Sequence, residues 1–299
     1  MGAASDTLEW RVVFERLVEL ATWQYDFARD AMLAAMLVGA LAGLVGPWLV
    51  LRRMSLLGDT VGHATLPGVV AAFLVTGAKS LVVLLVGGLV SGLSAAWLVE
   101  RLARGRRGRP DVALAVVSSV AFGLGIVVLS YAQHAPSAAQ AGLSTFLFGN
   151  AAAVTPEQLL ALAAALVLAT GLVALFYRPL ALVTFDPSQA AALGMRPHRV
   201  RAALVLAAAI VVVLSLQATG AVLVAAMLVI PASTALLVAR RLPFVVLVSV
   251  LVGAAAGLVG AVTSFVLPGV GTGPAMVLVA GLAFLSALGV RAVRRWVAS

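Results

Sequence analysis

Apolar residues run along this chain in blocks of about 20, separated by short polar stretches. That is the length an α-helix needs to cross the ~30 Å hydrocarbon core of a bilayer. Nine such blocks are predicted as spans: 31–51, 56–75, 80–100, 112–132, 157–177, 201–217, 219–239, 244–265 and 275–291. Interior glycine and proline do not count against them, because neighbouring helices re-satisfy the backbone inside a membrane bundle. Gly39, Gly43 and Gly46, and Gly253, Gly257 and Gly260, mark faces where two helices can approach closely. Blocks 201–217 and 219–239 are joined only by the tight run Gln217-Ala-Thr-Gly220, so the count stands at eight or nine. The predicted fold class is an all-α, polytopic membrane helix bundle.

Three segments break the pattern. Over 7–29, Leu8, Val12, Phe14, Leu17, Val18, Leu20, Trp23 and Phe27 interleave with charges. This predicts an amphipathic helix lying on the membrane surface; a tenth span is disfavoured by Arg16 and Glu19 in its middle. The chain thus divides into an interfacial segment, 1–30, and a transmembrane domain, 31–299. A long loop over 133–156 has a short apolar middle, as a re-entrant element or gate would. The third segment is Phe185-Asp-Pro-Ser-Gln-Ala-Ala-Ala-Leu-Gly194. Asp186 suits the N-cap, Pro187 the first helical position, Gln189 the third and Gly194 the stop. The spacing predicts a rigid two-turn helix between two spans, of a kind a soluble partner can grip.

Composition sharpens the class. Of 299 residues, 63% are hydrophobic and 10% charged, and the mean hydropathy is +1.14. The net charge of +9 does not point to nucleic acid, because the arginines sit in short clusters between apolar runs without aromatic interleaving. Every arginine after residue 50 falls on one predicted side: Arg52/Arg53, Arg101 to Arg109, Arg178 to Arg201, Arg240/Arg241 and Arg291 to Arg295. The opposite loops hold only Lys79. The positive-inside rule makes the arginine side cytoplasmic, with the C-terminus inside. Asp6, Glu9, Glu15, Glu19 and Asp26 stand where a cleavable signal peptide would carry a basic start and an apolar core. There is no cysteine, which excludes disulfides and thiolate ligands.

Chemistry concentrates in Asp59 and His63. Asp59 is the one carboxylate this reading places well within the bilayer, and a charge at the bilayer centre costs roughly 3 kcal/mol or more. Four residues apart on a helix, the two side chains share a face. A carboxylate and an imidazole there suit a divalent cation; the alternatives are a proton relay, or a helix-capping aspartate beside a packed histidine. Counting along a helix from Arg53 puts Asp59 roughly 9 Å deep and His63 roughly 15 Å deep, near the midplane. Gln217, Thr219, Met227, Ser233 and Thr234 read as packing or interhelical hydrogen-bonding groups, Pro231 as a kink, Met54 as a packed side chain, and His134 and His198 as loop residues. No catalytic constellation is present. Gly77-Ala-Lys-Ser80 lacks the upstream glycine of a nucleotide-binding P-loop, so energy must come from a partner or an ion gradient.

Four stretches carry a resemblance: Ser55-Leu-Leu-Gly-Asp-Thr-Val-Gly-His-Ala-Thr-Leu-Pro-Gly68, Thr145-Phe-Leu-Phe-Gly-Asn150, Phe185-Asp-Pro…Ala-Leu-Gly194 and Val222-Leu-Val-Ala-Ala-Met-Leu-Val-Ile-Pro-Ala-Ser-Thr234. Over about residues 31–291 the chain resembles the membrane permeases of ABC importers for manganese, zinc or iron. The resemblance implies a helical plan similar to the cobalamin and siderophore importers, in a bacterial cytoplasmic membrane. It implies partners: a pair of ABC ATPase subunits, an extracytoplasmic metal-binding protein and a second permease copy or paralogue. It makes Asp186, Pro187 and Gly194 parts of the ATPase-coupling helix and puts Asp59 and His63 on the metal path. No permanently bound cofactor is expected; the metal is cargo, with manganese favoured over zinc or iron. An ion-coupled secondary transporter and a permease for a metal chelate are the alternatives. Two departures stand out: Gly62 replaces a frequent serine, and the loop Ser264-Phe-Val-Leu-Pro-Gly-Val-Gly-Thr-Gly-Pro274 lacks the acid often found there.

Overall fold

The computed structural model describes residues 26–77, 81–103, 109–133, 154–267 and 269–297. Their secondary structure is helical throughout: α1 (Asp26–Leu51), α2 (Leu57–Thr76), α3 (Leu81–Leu102), α4 (Pro110–Gln133), α5 (Pro156–Leu175), α6 (Tyr177–Phe185), α7 (Pro187–Ala192), α8 (Pro197–Thr219), α9 (Ala221–Val238), α10 (Leu242–Val266) and α11 (Thr272–Val297). Among the described residues eight helices are long and apolar enough to cross a membrane. The predicted surface segment up to residue 25, the middle of the 133–156 loop with Thr145–Asn150, and His134 lie outside the described residues. Residues 26–30 belong to the same helix as the first span.

The ambiguity at 217–220 has a simple cause. Gly220 takes φ +83°, which ends α8 and starts α9 without a loop. α9 is 18 residues long and carries Pro231 inside it. It packs among α1, α10, α11 and α2 at the centre of the molecule. Gly273, at the start of α11, lies so close that a Cβ there would stand 2.5 Å from the Thr219 carbonyl oxygen. The α8–α9 break and the α10–α11 loop therefore share one end of the bundle. That acid-free loop is closed by Ser264, whose hydroxyl donates to the Val270 carbonyl at 2.7 Å and pairs with Thr272 at 3.1 Å.

α1 is the central post. Leu41, Trp48 and Leu49 are buried to 1% exposure or less, and its glycine face lies against α10. A Cβ at Gly39 would stand 2.0 Å from the Gly253 carbonyl oxygen, and one at Gly43 2.3 Å from the Ser249 oxygen. A Cβ at Gly257 would stand 2.2 Å from the Ala35 oxygen. These are backbone contacts, so no side chain can turn aside to make room. Without a hydrophobic driving force between helices in lipid, such close approach is what holds them. Gly39→Val should destabilise the bundle by about 1–3 kcal/mol or more, the usual range for overpacking. Lower membrane abundance and a lower melting point in detergent would show it, while Gly123→Val, with open space around it, serves as control.

The polar groups of the α8–α9 region mostly turn inward on their own helices. Thr219 Oγ1 donates to the Ser215 carbonyl at 3.0 Å and Thr234 Oγ1 to that of Ile230 at 2.8 Å. Neither bridges to a neighbouring helix, as interhelical groups would. Met227 and Met54 are buried at 0% and 1% and pack in the core.

Candidate metal centre and coupling segment

α2 begins at Leu57 after a turn over residues 52–56, and Asp59 falls in its first turn. The positive end of the helix dipole there favours a carboxylate. The i,i+4 spacing does what it predicts: His63 Nε2 lies 3.2 Å from Asp59 Oδ1. Because α2 starts only after the 52–56 turn, His63 stands roughly 9 Å along a helix of roughly 30 Å, about a third of the way. The two side chains keep 37% and 23% exposure, so the pair is reachable and not sealed.

α4 supplies the facing wall. Ser118 Oγ lies 3.5 Å from Asp59 Oδ2. One turn on, the Phe122 ring meets the His63 ring edge-on at 4.9 Å between centroids. The i,i+4 pair of α2 is thus matched by an i,i+4 pair of α4: hydroxyl opposite carboxylate, aromatic opposite imidazole. Ser118 was not among the residues expected from the sequence. Its signal, one of two adjacent serines in an otherwise apolar span, does not say which helix it faces. Among the described residues no three of His, Cys, Asp and Glu come close enough to hold a metal together. The donor set is therefore one carboxylate, one imidazole and one hydroxyl, hard and borderline ligands that suit divalent first-row ions.

The short helix predicted over 186–194 is present as α7, and its ends are built as the residues suggest. Asp186 is the N-cap, its carboxylate accepting from the Gln189 N–H at 2.9 Å and from the Ser188 hydroxyl, with Pro187 following. The Gln189 N–H and the Ser188 hydroxyl hold the Asp186 carboxyl below the usual carboxylate range. The cap's contribution is therefore complete at neutral pH and is lost only as pH falls through that lowered value. Gly194 takes φ +80°. Its N–H bonds the Ala191 carbonyl and that of Met195 bonds Ala190, both at 3.0 Å, the double closure of a Schellman stop. Phe185 and Leu193, at the two ends, are 63% and 66% exposed.

A second polar cluster lies at the same end of the bundle and was not foreseen. Arg201 Nε donates to Glu100 Oε2 at 2.8 Å, and Glu100 is buried at 4% side-chain exposure, deeper than Asp59. Arg52 Nε donates to Thr184 Oγ1 at 3.1 Å. These bonds bring the 52, 101 and 201 regions to one end, as the arginine distribution predicts. Burial, and next the neighbouring Arg201, make the Arg52 guanidinium easier to deprotonate than usual, while Glu100 opposes both.

The ABC 3 transport family profile matches residues 24–291. The chain is 35% identical over 262 residues to the manganese transport system membrane protein MntC of Bacillus subtilis (strain 168), covering 88% of this chain but 60% of that protein. This chain thus spans less than two thirds of that relative. It is 38% identical over 259 residues to the zinc transport system membrane protein TroC of Treponema pallidum (strain Nichols), covering 86% and 87% of the two chains. Among solved structures, PsaBC from Streptococcus pneumoniae in complex with Fab superposes with a TM-score of 0.78 at 31% identity, covering 92% of this chain and 95% of that one. An inward-facing metal-chelate type ABC transporter shares the fold, with a TM-score of 0.66 at 21% identity over 89% and 85% of the chains. A profile match running from the first helix to the last, with relatives of this identity over most of the chain, makes the protein a member of the ABC 3 transport family.

Proposed function

We propose that this chain is the membrane-spanning permease of an ATP-driven importer for a divalent first-row metal ion, manganese foremost and zinc or iron within the same class. The observation that carries the reading is the accessible Asp59–His63 pair facing Ser118. Few, mixed ligands suit a site that must release its ion as well as bind it. The relatives named for manganese and for zinc support the same class without deciding between the two metals. In this reading the metal is cargo, and no resident cofactor takes part.

The chain carries no P-loop, so a pair of ABC ATPase subunits supplies the energy. They dock at Asp186, Pro187 and Gly194, where a short capped helix is flanked by the exposed apolar side chains of Phe185 and Leu193. An extracytoplasmic metal-binding protein delivers the ion to the opposite end, and a second permease copy or paralogue completes the path. The arginine-rich end and the C-terminus face the cytoplasm of a bacterial cell, in line with the positive-inside rule.

The test is reconstitution of the chain with its ATPase and binding protein in vesicles, measuring ATP-dependent uptake of manganese, zinc and iron(II). Uptake that follows a proton gradient and ignores ATP would replace this reading with ion-coupled transport. Uptake of a chelate but of no bare ion would replace it with chelate import.

Gly194→Val tests the docking assignment. Space around Gly194 is open, so the backbone alone resists the change, at on the order of 1–2 kcal/mol for a side-chain-bearing residue in the left-handed region. The distorted helix end should cut ATPase association and uptake while membrane insertion stays normal. Normal co-purification and uptake would refute the assignment.

A further inference from the structure

The turn that joins α1 to α2 is strained. Arg53 has φ +58°, and among the described residues it is the only non-glycine residue with positive φ. Its N–H bonds the Val50 carbonyl at 3.0 Å, and that of Met54 bonds Leu49 at 2.9 Å. This is the same double closure that ends α7, with arginine where glycine is usual. A side chain disfavours that backbone conformation, and such strain persists only where the surroundings enforce it.

The surroundings are specific. After Arg53, Met54 is buried at 1% in the core. Before it, Arg52 bonds Thr184 in the last turn of α6, just ahead of the Asp186 cap of α7. On the other flank of α7, Arg201 in the first turns of α8 bonds Glu100 of α3. α3 packs along α2, where the Ser91 hydroxyl donates to the Ala64 carbonyl beside His63. The segments entering and leaving α7 thus each reach, through one arginine bond, the helices that bear or support the Asp59–His63 pair. α7 itself touches little besides α6 and α8. The Nη2 atoms of both Arg52 and Arg201 are buried without an acceptor. Such donors are costly to leave unmade, so this arrangement lacks bonds that a shifted one can form.

We propose that Thr184 and Arg52 form a positioning relay. Displacement of α7 by the ATPase pulls the Thr184–Arg52 bond, the bond turns the strained Arg52–Arg53 hinge, and the hinge tilts α2 and reorients Asp59 and His63. Neither residue touches the metal. The inference rests on the permease reading above and adds to it the route from the energy source to the site.

The experiment uses the full transporter in vesicles and measures metal ions moved per ATP hydrolysed, with manganese as the probe. Thr184→Val removes the acceptor at nearly constant shape, and Thr184→Ser keeps it. Thr184→Val should lower the ratio about tenfold, the worth of one hydrogen bond from a charged donor. Thr184→Ser should hold the wild-type ratio, and Arg52→Gln should add little on top of Thr184→Val, because the two act on one bond. An unchanged ratio in Thr184→Val overturns the relay, as does an equal loss in Thr184→Ser. Reduced assembly of Thr184→Val with a normal ratio per assembled complex also overturns it, assigning Thr184 to packing alone. A wild-type complex that shows no ATP-dependent uptake at all defeats the permease reading first and this inference with it.

Discussion

Asp59→Asn and His63→Ala should each abolish metal uptake while the protein still inserts and still binds its ATPase. The expectation follows from the donor set. Among the described residues Asp59 supplies the carboxylate of the site and His63 its imidazole, with Ser118 the remaining side-chain donor in the wall. Loss of a group that merely orients a metal ligand typically lowers affinity about 10–100-fold. Loss of a direct ligand from so small a set should reach at least about the upper end of that range. Asp59→Glu keeps the charge but pushes it toward α4 by one methylene, and partial uptake is expected. Ser118→Ala removes the weakest donor, at the longest contact of 3.5 Å, and should cost less than either. The measurement pairs manganese uptake with membrane abundance for each variant. A capping aspartate and a packed histidine would behave in the opposite way, with abundance falling and uptake per molecule preserved. Near-normal uptake in His63→Ala would remove that residue from the metal path.

What could be read from the sequence was local. The α7 ends were visible because each cap is written in adjacent residues: Asp186 and Gln189 at one end, Gly194 at the other. The Asp59–His63 contact was visible because one helical turn fixes it. Paired glycines on α1 and α10 announced a close crossing, although nothing local says that Gly39 meets Gly253. Long-range pairing was not legible. Arg52 and Thr184 are 132 positions apart, and Arg201 and Glu100 are 101 apart. No periodicity links such positions; only the packing of α1 beside α6 and of α3 beside α8 does. Ser118 failed for the same reason. Arg53 failed for another, since arginine carries no signal for a left-handed backbone.

Glu100→Gln should be among the most destabilising single changes in the chain, although Glu100 takes no part in the Asp59–His63 contact. Its carboxylate lies among two guanidiniums, bonded to Arg201 and acting on Arg52. Removing one partner of a buried ion pair costs about 3–5 kcal/mol, because the other charge stays behind without compensation. Here two like charges stay behind. Arg201 retains 28% side-chain exposure, so some solvent relief brings the cost toward the lower end of that range. The charges also predict an asymmetry. Arg201→Met removes a bond but leaves Arg52 as a cation for Glu100, and it lifts the repulsion between the two arginines, so it should be clearly milder. The double variant Glu100→Gln with Arg201→Met leaves a single guanidinium and should recover part of the loss, a non-additivity that a double-mutant cycle reads directly. Membrane abundance and the detergent melting point of the four proteins supply the numbers. Equal effects of the two single changes would mean that the pair acts as one hydrogen bond, with the surplus positive charge already screened. Additive effects would mean that Glu100 serves neighbours other than Arg201.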